Sequence, residues 1–155
     1  MPHPAQSEYI RYYNKTALVR RWIATILLKS NLESQLMFNR LDPVITKGFD
    51  TSSFTKDNQE DADFIRGWLE SELQRCEDDD FDEEDVFAIN TRRIQKSMGL
   101  NKAELAVLRF ACLLNSYKPL EAATEHSDAY TEADVCELLA DLLRLPFGLV
   151  YSALK

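Results

Sequence analysis

Residues 77–85 read EDDDFDEED, and eight of these nine positions carry a carboxylate. So dense a set of oxygen ligands first raises the question of a metal. A calcium loop of the EF-hand kind alternates its oxygen ligands, turns on a glycine and closes with a bidentate glutamate. Here Phe81 sits mid-loop, glycine is missing, and Ala88 stands where the closing glutamate belongs. The run therefore reads as a solvated acidic loop, or as a patch that meets a basic surface on a partner or in the N-terminal segment of its own chain. Under the second reading Asp78, Asp79, Asp80, Asp82, Glu83 and Glu84 are candidate partner-binding residues.

The remaining reactive side chains point to no catalysis. His126 has Ser127 and Asp128 beside it, but a triad needs groups that converge from different elements, and neighbours in sequence do not. Cys76, Cys112 and Cys136 are widely spaced on apolar helix faces and are expected to be buried free thiols. With His126 they lack the short paired spacing of a zinc site. No GxxxxGK[ST], GxSxG, HExxH or dinucleotide fingerprint occurs, so no catalytic, cofactor-binding or metal-binding residue is assigned.

What must position these groups is helical. Only 4 Gly and 5 Pro occur, and little Val, Ile or Thr falls in alternation, so strands joined by tight turns are not expected. With 45% hydrophobic and 28% charged residues, the 155-residue chain reads as one soluble globular domain. No apolar run approaches the roughly 18 residues of a membrane span, and the N-terminus lacks a signal-peptide core. The free thiols add a reducing, cytoplasmic setting.

Val19, Trp22, Ile23, Ile26 and Leu27 mark a first helix, capped by Asn14 or Thr16; the aromatic stretch from Tyr9 to Tyr13 either extends it or packs as an arm. Ser30 with Glu33 opens a second helix that Pro43 ends, and Gly48 to Thr55 reads as a loop. Asp57 with Glu60 opens a third, lined by Phe64, Ile65, Trp68, Leu69, Leu73 and Cys76, which ends in the acidic run. Asp82 to Asp85 then suit the start of the next helix, which is lined by Val86, Phe87, Ile89, Ile94 and Met98, has a possible break at Asn90-Thr91, and ends at Gly99 as its C′ residue. Asn101 with Glu104 caps a helix that is apolar on nearly all sides and belongs at the centre of a bundle. A short piece from Lys118-Pro119 follows, then a helix capped by Thr131 with Asp134, then a last one begun by Pro146. The fold class is all-α, a single-domain bundle of six to eight helices, with Trp22, Ile26, Phe64, Trp68, Leu108, Cys112, Leu139 and Leu142 in its core.

Along this domain the charge is uneven. Residues 1–56 hold 8 Lys/Arg against 4 Asp/Glu, residues 57–85 hold 2 against 14, and residues 86–155 hold 8 against 8. A chain of net charge −8 with this acidic middle repels nucleic acid. Two stretches nevertheless have helix-turn-helix character, residues 92–110 and 138–155. A base reader needs polar and basic groups on the exposed start of its second helix. The first stretch offers Lys102 and Arg109 but also Glu104; the second offers the apolar Phe147, Leu149 and Tyr151. These stretches read as packing corners. Phe147, Leu149 and Tyr151 are candidate partner-binding residues, while Val150 and Leu154 belong in the core.

Two further segments, MGLNKAELAVLRFACLLNSYKPLEAA (98–123) and DVCELLADLLRLPFGLVYSALK (134–155), together resemble the region that precedes the ATPase module in bacterial AAA+ ATPases of the Vps4/Ycf46-like type. The shared features are a Gly-Leu turn, a capped apolar helix and a Leu-rich helix ending in Leu-Pro. Arg144 departs from the pattern, since Gly is usual there. The resemblance implies a non-catalytic N-terminal domain that recruits substrate or adaptor. It also implies that the chain continues past Lys155 into an ATPase module, which would hold the Walker motifs, ATP and Mg. The competing expectation is a free-standing acidic regulator or DNA mimic that occupies a basic surface.

Overall fold

Asp61, Asp85 and Thr131 each sit in extended backbone just ahead of a helix, and each side chain accepts a hydrogen bond from the first turn. These caps satisfy donors that a helix start leaves open. The computed structural model describes residues 4–30, 43–46, 49, 54–55, 61–76, 82–125, 127, 129 and 131–155. Its elements are α1 (Pro4–Lys29), α2 (Pro43–Thr46), α3 (Ala62–Arg75), α4 (Val86–Met98), α5 (Lys102–Ser116), α6 (Lys118–Glu125), α7 (Glu132–Leu143) and α8 (Phe147–Ala153). No strand occurs among the described residues, and the all-α class holds. The helix expected from Ser30 and Glu33, and the start expected at Asp57 and Glu60, fall largely outside the described residues. The cap of α3 is Asp61, whose carboxylate accepts from the backbone N–H of Asp63 and Phe64 at 3.0 and 3.2 Å.

The chain forms two compact units, one from Met1–Asp80 with Tyr117–Ser127, the other from Phe81–Ser116 with Asp128–Lys155. In the first, α1 packs on α3 and α6, and α2 packs on α6. Helix α1 starts well upstream of Asn14 and Thr16. From Leu18 to Leu27 every residue but Thr25 is buried, including Arg20 and Arg21. Phe64 and Trp68, expected in the core, are half-buried, and their ring partners are Phe49 and Phe54. The ring of Phe54 meets Trp68 edge-on at 4.7 Å and Phe64 at 5.5 Å, and Phe49 meets Trp68 at 5.0 Å. On α3 the buried Glu72 accepts from Arg75 at 2.5 Å. Slight burial works against the Arg75 charge, but the attraction and hydrogen bond of Glu72, helped by Cys76, outweigh it and raise its pKa. Arg75 is mostly exposed, so this pair adds little stability.

In the second unit α5 is the hub, packing against α4, α7 and α8, and α7 also packs on α8. Leu105, Phe110 and Leu113 are buried, whereas Leu108 and Cys112 are half-buried rather than core. Helix α4 runs without a break through Asn90-Thr91, and the Thr91 hydroxyl turns inward and donates back to the carbonyls of Phe87 and Ala88. Its buried face is Ala88 and Thr91, while Val86, Ile94 and Met98 are 51%, 39% and 69% exposed.

The two helix-turn-helix-like stretches share one corner geometry. Gly99 ends α4 in the left-handed region at φ 68°, and both its own N–H and that of Leu100 return to the Gln95 carbonyl. Arg144 ends α7 at φ 55°, and its N–H and that of Leu145 return to Ala140. A Cβ added at Gly99 would meet nothing within 4 Å, so the dihedral angle and not space selects glycine there. Gly99→Ala should therefore cost about 1 kcal/mol, and Arg144→Gly should gain up to about 1 kcal/mol, as opposite shifts of the urea midpoint.

Candidate functional site

The acidic run divides at the edge of the described residues. Asp78, Asp79 and Asp80 lie outside them, while Asp82, Glu83 and Glu84 are exposed. The latter part is built into the start of α4. Asp82 accepts from the Glu84 N–H at 3.0 Å, and the Asp85 carboxylate caps α4 by accepting from the Phe87 N–H at 3.1 Å. Negative charge is favourable at that helix end.

Glu83 does more than line a surface. Its Oε1 lies 3.5 Å from Nη1 of Arg109 and its Oε2 lies 3.3 Å from Nε of Arg92. Arg92 also donates to the Glu83 backbone carbonyl. Arg109, offered by the sequence as a surface cation, is only 6% exposed. Its Nε donates to the Thr91 hydroxyl at 2.9 Å and its Nη2 to the Ala88 carbonyl at 3.2 Å. The signal was present in the sequence: Arg109 stands four residues from Leu105 and from Leu113, in the middle of the buried row of α5. A guanidinium there must carry its donors to acceptors on a neighbour, and the small face of α4 leaves the room.

The second candidate group lies on α8. Phe147 and Leu149 are 46% and 51% exposed, Tyr151 is half-buried and Val150 is fully buried. Leu154, expected in the core, is 40% exposed. The rings of Phe147 and Tyr151 stack with centroids 6.2 Å apart and planes 15° apart. Lys155 Nζ lies 4.2 Å from the Tyr151 ring centre, a cation–π contact. Phe147 and Tyr151 stand one turn apart on α8, and Lys155 lies past the end of that helix. Leu149 is about 200° round the helix from Phe147, on the other flank.

As for other chemistry, Cys76 and Cys136 are buried free thiols and Cys112 is half-buried. His126 and Asp128 lie outside the described residues, and Ser127 donates to the Thr124 carbonyl. Among the described residues, no group of three or more His, Cys, Asp or Glu is placed to hold a metal, and no helix is long and apolar enough to cross a membrane. No family model, curated protein or solved structure matches the chain.

The Arg109 network makes a rank order testable. Thr91→Val removes a buried acceptor and should cost about 1–3 kcal/mol. Glu83→Gln acts on a side chain 57% exposed and should cost under about 1 kcal/mol. Urea titration of the two variants reads the order, and a costlier Glu83→Gln would shift the anchoring role from Thr91 to the carboxylate.

Proposed function

We propose that this chain is a protein-interaction domain with no chemistry of its own, recruiting a substrate or adaptor to an AAA+ ATPase motor carried by the same polypeptide in the cytoplasm. The observation that supports the interaction role is α8, where a short helix fixed by the buried Val150 holds Phe147 and Leu149 out to solvent. Large aromatic and aliphatic side chains on a rigid element supply the anchors of protein interfaces. The link to a motor rests on the resemblance of residues 98–123 and 134–155 to the region ahead of the ATPase module. ATP and Mg would then act outside these residues.

The acidic run supports a regulator or DNA mimic less well. Asp82 and Asp85 hold the start of α4, and Glu83 is the counter-ion of Arg109 and Arg92. A mimic of nucleic acid needs its carboxylates turned to the partner.

Two measurements test the proposal. The reading frame is expected to continue past Lys155 into a GxxxxGK[ST] segment, and a frame without one removes the motor. A photo-crosslinking residue in place of Phe147 is expected to capture a protein partner in cells. Phe147→Ala should then weaken binding of that partner about tenfold or more while leaving the thermal midpoint nearly unchanged. A partner that binds the variant as tightly would remove α8 from the interface.

A further inference from the structure

Helix α4 packs on α5 through Ala88 and Thr91, and this small-residue contact leaves Val86, Ile94 and Met98 exposed. With Asn90, also exposed, they stand four residues apart along one row of the helix. Rows of that spacing interdigitate with a like row in the commonest way that two helices pack. An apolar row does not by itself name what covers it. The charges around α4 do.

Residues 77–85 hold eight acids and no cation, whereas residues 86–103 hold Arg92, Arg93, Lys96 and Lys102 and no acid. Glu83 engages Arg92. Asp82, Glu84, Arg93, Lys96 and Lys102 are exposed, and no ion pair among the described residues includes them. The next acid, Glu104, accepts from the Asn101 N–H as a cap. The helix dipole accounts for part of this pattern, since Asp85 caps the start of α4 and Lys96 lies in its last turn. It does not account for Arg93, ahead of that turn, or for Lys102, which opens α5 at the end where a cation is disfavoured. Helix α4 has 13 residues and is about 20 Å long, more than twice the screening length of about 8 Å. Its acidic start and basic end are therefore too far apart to neutralise each other within one copy.

We propose that α4 pairs antiparallel with α4 of a second copy of this chain across a two-fold axis. The exposed acids at the start of one helix then meet the exposed cations toward the end of the other, and symmetry makes the match twice. The apolar row meets the same row of the second copy. A parallel pair places like charge on like. With the axis at Asn90, Val86 comes opposite Ile94 of the second copy and the two Asn90 side chains face each other, a polar pair of the kind that fixes register. A foreign partner needs both charges in the reverse order, whereas a second copy supplies them by symmetry. One short helix per copy is a small contact, so the dissociation constant is expected at about 1–100 µM. The pairing does not depend on the role proposed for α8.

Sedimentation equilibrium of the full chain tests it. The chain is expected to be mostly dimeric at about 100 µM in low salt, monomeric well below about 1 µM, and to dissociate as salt rises. Asp82→Lys with Glu84→Lys makes both ends basic, and Arg93→Glu with Lys96→Glu makes both ends acidic. Each double variant alone is expected to dimerise about tenfold or more weakly than the parent, and an equimolar mixture of the two is expected to restore a heterodimer. Ile94→Asp puts a carboxylate in the apolar row and is expected to leave the chain monomeric. Phe147→Ala is expected to leave the dimer unchanged. Far-ultraviolet circular dichroism checks that each variant keeps the helix content of the parent. A chain that stays monomeric at about 100 µM, a dimer indifferent to Ile94→Asp, or charge-reversed variants that do not rescue each other would each overturn the proposal. A dimer that Phe147→Ala breaks would place self-association on α8 and overturn it as well.

Discussion

A guanidinium buried in an apolar helix cannot be deprotonated, so its donors must find acceptors, and much of the second unit follows from how Arg109 does this. Two of its nitrogens reach Thr91 and Ala88 on α4, and the third faces Glu83 in the loop that leads into that helix. A small residue at position 88 and an inward hydroxyl at position 91 give it access. The consequence is that α4 docks through its small residues and leaves Val86, Ile94 and Met98 in solvent, the reverse of what hydrophobic periodicity alone requires. The same arginine engages one carboxylate of the acidic run, Glu83, which stays partly exposed while it faces Arg109 and Arg92. Such a pair is weak evidence of net stability. Its value here lies in register, since it ties the loop, α4 and α5 to one arrangement.

Much of the fold was legible because it is written in short-range chemistry. Gly99, the reciprocal pair of Asn101 and Glu104, and the reciprocal pair of Thr131 and Asp134 each mark a helix end by a bond that spans only a few residues. Trp22, Ile26, Leu139 and Leu142 are buried as their spacing indicates. What was not legible depends on partners distant in sequence. Phe64 and Trp68 are half-covered, and the rings that meet them edge-on, Phe49 and Phe54, lie outside their own helix. The row of Leu105 and Leu113 places Arg109 on the buried side of α5, but which acceptors its donors meet depends on the helix beside it. The chain also returns from the second unit to the first for Tyr117–Ser127 before crossing again, and no local pattern announces such a crossing.

The candidate site was legible in part for the same reason. Phe147 and Tyr151 share a helical row and meet as stacked rings, which spacing alone suggests. Leu149 sits on the other flank, so the three residues do not make one contiguous group. Leu154 is held outside the core although it lies four residues beyond Val150. Helix α8 ends at Ala153, so position 154 falls past the last turn that packs on α5 and α7. Terminal positions of this kind keep the period of a helix without its burial.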